Sequence, residues 1–96
     1  MRELEMPEID VIEAVEEKTV ESDLYNLIVF NDEVNTFDFV IDTLMDVCEH
    51  TPEQAEQCTI IIHYKGKCRV KNGSWEQLAS MRQEICRRGI SAEVLS

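Results

Sequence analysis

Two histidines, His50 and His63, and the run Asn31-Asp32-Glu33 hold most of the chemical options in this sequence. A nucleophilic enzyme needs Ser or Cys within reach of a base that a third group orients. No G-x-S-x-G, phosphate-binding loop, H-E-x-x-H or dinucleotide fingerprint occurs, and Gly66, Gly73 and Gly89 stand alone. No catalytic residue is expected. His50 sits just before a helix start, where an exposed linker residue is the ordinary reading. Asn31, Asp32 and Glu33 follow an apolar strand and read first as a turn with capping side chains. His63, taken alone, reads as a histidine near a helix end. If the fold brings His63 beside the 31–33 turn, an amide oxygen, carboxylates and an imidazole converge as acceptors around one point. An α-ammonium group suits such a set, being cationic below a pKa of about 7.7–8.0. Capture of an N-terminal amine is a known recognition mode. Phe37, Val40, Thr59 and Ile62 would flank that point, as plain core or as the lining of a hole.

The elements that must place these residues can be read along the chain. Leu24 to Phe30 is β-branched and aromatic, a strand that stops at the ladder-breaking Asn31-Asp32-Glu33. Asn35 or Thr36 can cap the helix that follows, whose stripe is Phe37, Val40, Ile41, Leu44, Val47 and Cys48. Thr51-Pro52-Glu53-Gln54 starts a second helix: Thr51 caps, Pro52 sits where no N–H is needed, and Gln54 closes the capping box. Ile60-Ile61-Ile62 is also strand-friendly, and the cap decides for helix, with Gly66 as its stop. Lys67 to Lys71 alternates basic and apolar, a half-exposed strand ending at Asn72-Gly73. Ser74-Trp75-Glu76-Gln77 is another capping box, opening a helix that Gly89 ends after Arg87 and Arg88. Ile90 to Leu95 reads as a last strand. The order β-α-α-β-α-β predicts an α+β domain, three helices packed on a small three-stranded antiparallel sheet.

Composition narrows the function classes. The chain has 96 residues and a net charge of −11, from 9 Lys+Arg against 20 Asp+Glu. Phosphate backbones and anionic membranes would repel it, so neither nucleic acid nor membrane is expected as a partner. No stretch approaches the ~20 apolar residues of a membrane span, and the acidic first residues lack a secretory leader pattern. The cytoplasm is the expected location. Residues 1–23 hold nine acids and two bases, which favours a flexible acidic extension, with a short helix near 8–18 as an option. Four cysteines, Cys48, Cys58, Cys68 and Cys86, contain no C-x₂₋₄-C pair. Reduced thiols used as small apolar residues are expected, with no metal and no cofactor.

Tyr25-Asn26-Leu27-Ile28-Val29-Phe30-Asn31-Asp32-Glu33, then Phe37-Asp38-Phe39-Val40-Ile41-Asp42-Thr43-Leu44, resembles the pattern of the ClpS family. Ala55, His63, Gly66 and Lys67 fall in step with that family's second helix. The resemblance covers about residues 24–96, and the 31–44 stretch is similar to Bacteroidetes members. It implies a core domain at 24–96 behind the 1–23 extension. The implied role is an adaptor that binds N-degron substrates, proteins beginning with Phe, Tyr, Trp or Leu. It would hand them to a Clp AAA+ unfoldase (ClpA or ClpC) working with ClpP, and is expected to be a monomer.

By position, the resemblance implies that Asn31, Asp32 or Glu33, and His63 hold the α-amino group. Phe37, Val40, Thr59 and Ile62 fall where the family lines its side-chain pocket, and Ala92 takes the place of a further pocket leucine. Phe37 replaces a gatekeeping methionine whose bulk excludes β-branched first residues. Glu76 and Arg82 fall on the unfoldase-docking surface. The chain departs from the pattern at Glu33, shorter by a methylene in the family, and at Asn35-Thr36, where the family has Thr-Pro. Thr59 replaces a methionine, which predicts a smaller and wetter wall. The alternative is a regulatory module that keeps this fold and acts on the unfoldase without recognising N-terminal residues.

Overall fold

The computed structural model describes residues 25–96. The expected extension at 1–23, and any helix near 8–18, lie outside the described residues. The elements are β1 (Tyr25–Phe30), α1 (Phe37–Cys48), α2 (Pro52–Lys65), β2 (Lys67–Gly73), α3 (Trp75–Arg87) and β3 (Ala92–Leu95). The order β-α-α-β-α-β is the one the sequence predicts.

β1 lies at the centre of a three-stranded sheet, ordered β2-β1-β3. Both pairings are antiparallel, with Val29 opposite Cys68 on one side and Ala92 on the other. The register slips between Leu27 and Ile28 against β2, a local irregularity that leaves the alternation of β1 intact. Leu27 and Val29 point into the core, joined there by Leu44 and Cys48 of α1, Ala55 and Ile62 of α2, and Leu78 and Ile85 of α3. Each Leu, Ile or Val among them contributes about 1.5–3 kcal/mol by leaving water.

Local chemistry sets the helix ends. Thr36 caps α1, its hydroxyl accepting the Phe39 N–H at 3.1 Å. Thr51 and Gln54 make the reciprocal capping box of α2, with bonds of 3.1 and 2.9 Å. Gly66 closes α2 at φ +94°, a backbone state that side chains disfavour. Ser74 caps α3, accepting the Gln77 N–H at 3.2 Å. Arg88 ties α3 to α1, reaching both Glu84 and Asp46.

Two expectations need correction. The last strand begins at Ala92 rather than Ile90, because Ile90 is buried in the core before pairing starts. His50 is no exposed linker residue: it is half-buried, and its Nε2 donates to the Val70 carbonyl at 2.7 Å, so it braces the α1–α2 connection against β2. Of the two caps that the sequence offers for α1, Asn35 or Thr36, it is Thr36 that takes the place. The four thiols are free; Cys48 is fully buried and the others pack around the same core.

Candidate functional site

β1 delivers Asn31 to a junction of three elements. The Phe30 N–H donates to Ser91 O at 3.0 Å, and the Asn31 N–H donates to Gly66 O at 2.8 Å. The strand exit is thereby held between the end of α2 and the loop before β3. The chain then turns around Asp32. Its Oδ1 accepts the N–H groups of Val34 and Asn35, each at 2.9 Å, and its Oδ2 accepts from Asn35 Nδ2 at 2.8 Å. Asp32 thus builds the turn it sits in. The Asn35 backbone N–H, chief among these donors, holds the carboxyl below its ordinary value, with burial opposing.

Past the turn, the first residue of α1 meets the last turn of α2. The rings of Phe37 and His63 stand edge to face, centroids 6.4 Å apart. Between the two helices and the 31–36 turn lies a hollow of about 440 Å³. That volume falls in the range of small-ligand sites. Asn31, Asp32, Glu33 and His63 all line it, so the structure does bring His63 beside the turn. Phe37, Val40, Thr59 and Ile62 form its apolar part, with Thr59 and Ile62 each only 3% exposed.

Two features of the lining differ from expectation. The Thr59 hydroxyl donates to Ala55 O at 2.7 Å, within its own helix. Its donor is spent, so the wall at Thr59 is smaller than a methionine would make it but offers no free O–H. Ala92 does not line the hollow. It sits in β3 opposite Val29, 3% exposed, where strand alternation turns it into the core.

Sequence reasoning assigned Asn35 and Thr36 only to capping, yet both line the hollow. The signal for Asn35 was available: Asx residues three apart in a turn can bond each other's side chains and backbone. Its second partner, Gly89 O at 2.9 Å, is distant in sequence and was not readable.

Glu76 and Arg82 lie on α3, remote in sequence from these residues, and both are exposed. Arg82 donates from Nε to Ala92 O at 3.0 Å and helps line a shallow groove with Trp75, Glu93 and Val94. Glu76 is not among the residues of that groove, so the structure does not gather the two into one recess.

The hollow's chemistry is that of a receptor. Its lining divides between polar acceptors and apolar side chains, and among the described residues no Lys or Arg lines it. Neither Ser nor Cys lines it, so the lining offers no thiol or serine nucleophile. A small cation with an apolar body fits this division.

Comparison with known proteins gives this setting a relationship. Residues 20–93 match the family described as ATP-dependent Clp protease adaptor protein ClpS. The chain is 38% identical over 61 residues to the ATP-dependent Clp protease adapter protein ClpS of Campylobacter jejuni, a stretch covering 64% of this chain and 62% of that one. It thus spans about three fifths of the length of those curated relatives. The namesake from Thermosynechococcus vestitus is 34% identical over 68 residues, covering 70% of this chain and 72% of that one. Among solved structures, Agrobacterium tumefaciens ClpS2 bound to L-phenylalaninamide superposes with a TM-score of 0.71. At 16% identity, over 74% of this chain and 93% of that one, the likeness is one of fold.

Proposed function

The chain belongs to the ClpS family of Clp protease adaptor proteins, and on that footing we propose that it captures N-degron substrates by their first residue and delivers them to a Clp unfoldase. The family is one of adaptors, not enzymes, in keeping with the expectation from the motifs.

The observation that carries the reading is that one hollow is lined both by Asn31, Asp32, Glu33 and His63 and by Phe37, Val40, Thr59 and Ile62. The acceptors hold the α-ammonium group of a substrate, and the apolar part takes its first side chain, Phe, Tyr, Trp or Leu. A carboxylate that stays ionised, as Asp32 does, is suited to a cation. L-phenylalaninamide, the molecule held by the Agrobacterium relative, has a free α-amine and an aromatic side chain. The same chemistry fits here.

Magnitudes agree with a reversible adaptor. One large side chain gives about 1.5–3 kcal/mol on burial, and charge-assisted hydrogen bonds add about 1.5–3 kcal/mol each. After the cost of association, affinity on the order of micromolar results.

Delivery completes the reading. Glu76 and Arg82 on α3 face the unfoldase, ClpA or ClpC, which feeds ClpP, and the 1–23 extension enters it. The adaptor works as a monomer in the cytoplasm. Asp32→Ala and His63→Ala test the site: each should weaken a Phe-first peptide about ten-fold or more by calorimetry, with the circular dichroism unchanged. Full affinity in both variants would reject the assignment.

A further inference from the structure

Both amide protons of Asn35 are spent on the frame of the hollow. One goes to Asp32 Oδ2 at 2.8 Å, the other to Gly89 O at 2.9 Å. Because both partners are acceptors, only the NH₂ side of the amide can face them. Among the described residues, Asn35 is the one side chain that bonds both the 31–35 turn and the loop after α3. Gly89 presents its carbonyl from φ +92°, a conformation that suits glycine and meets no steric obstacle.

The rest of the turn is held by backbone bonds to Gly66 and Ser91, at the strand exit before Asp32. Within the turn, Asp32 Oδ1 is held by the backbone N–H groups of Val34 and Asn35, each at 2.9 Å. Oδ2 is held by the Asn35 amide at 2.8 Å, and among the described residues by no other side chain. Threonine at this position would offer one donor instead of two, and aspartate none.

We propose that Asn35 is a positioning residue of this site, locking the Asp32 carboxylate and anchoring its turn to the Gly89 carbonyl so that amine acceptors stand ready before cargo arrives. The proposal rests on the amine-binding reading and deepens it. In a chain that has Asn35-Thr36 where its relatives' pattern has Thr-Pro, the amide bridge supplies the stiffness that a fixed proline φ would give. Preorganised acceptors avoid an ordering cost on binding.

The test uses the full chain as parent, Asn35→Ala, Asp32→Ala and the double variant. Anisotropy with a labelled Phe-first peptide gives affinity, and carbon NMR follows the Asp32 carboxyl titration. Glu33 and His63 are the other titratable groups lining the hollow, so their signals are followed alongside. Asn35→Ala should lower affinity about ten-fold and move the Asp32 midpoint up by a small step, because the backbone N–H groups of Val34 and Asn35 still hold Oδ1. The double variant should bind within about two-fold of Asp32→Ala, because Asn35 acts through Asp32. Asn35→Asp, which turns an acceptor on two acceptors, should lose more than Asn35→Ala. Should Asn35→Ala fail to fold, Asn35→Ser retains one donor and carries the same measurements. Losses that simply multiply in the double variant, or an unmoved Asp32 titration, would overturn the proposal. A parent chain indifferent to the peptide's amine would instead defeat the functional reading. The Asp32 titration, which needs no peptide, would still decide whether Asn35 holds that carboxylate.

Discussion

Phe37 and His63 stand edge to face with ring centroids 6.4 Å apart, the first residue of α1 against the last turn of α2. Both residues line the hollow, and Phe37 stands at its rim, 40% exposed. An aromatic wall at that position would admit flat or γ-branched side chains while crowding a branch at the β-carbon.

Phe37→Ala removes that wall. Peptides beginning with Ile or Val, which the proposed gate should exclude from the parent chain, should then bind within a few-fold of their Leu counterpart. Competition against a labelled Leu-first peptide reads the ratio directly. Unchanged discrimination would move the gate elsewhere.

The end of α3 carries an acid-sensitive cluster. Glu84 accepts from Arg87 Nε and Arg88 Nε, each at 2.9 Å. The Arg87 bond first, then the Arg88 bond, bring its carboxyl from 4.5 down to about 2. A folded value below the unfolded one means stability that is fully present above about 4.5 and lost as pH falls through about 2. Glu84→Gln should melt below the parent at neutral pH, with the gap closing across that window. A gap independent of pH would contradict the pairing.

Thr51→Ala breaks the reciprocal cap of α2, the helix that carries Thr59, Ile62 and His63. The expected cost is about 1 kcal/mol, or a fall of about 4–8 °C in Tm for a domain of this size. Thermal denaturation followed by circular dichroism measures it. A melt unchanged to within a degree or so would mean that packing alone positions the helix start.

Burial raises the Cys48 thiol to about 11, and burial together with the neighbouring Cys68 raises Cys58 to about 12. Both should therefore alkylate far more slowly in the folded chain than in denaturant, since the thiolate is the reactive form. A short iodoacetamide pulse with mass spectrometry separates the four sites. Rapid labelling of Cys48 in the native state would contradict the core placement.

Local signals made most of the fold legible. Thr51, Pro52 and Gln54 decided that Ile60-Ile61-Ile62 is helical, and the structure places Ile62 in the core of α2 with Thr59 on the same side. The alternation of Cys68 and Val70 put β2 in place, and the polar turn after Phe30 marked the site. What stayed hidden depended on partners distant in sequence. His50 looked exposed because Val70, its partner, arrives only when β2 packs back. Asn35 looked like a cap because Gly89 lies beyond α3. Ala92 was assigned by position in a pattern, whereas its side is fixed by pairing with Val29. Thr59 looked wet because nothing local shows that its hydroxyl turns onto Ala55.

The account stands on a charged amine being seated among Asn31, Asp32, Glu33 and His63. The direct measurement is anisotropy of two peptides identical except at the terminus, both beginning with Phe, one free and one N-acetylated. The free peptide should bind on the order of micromolar and the acetylated one at least about a hundred-fold more weakly, as lost charge-assisted bonds require. Equal binding of the two would contradict it.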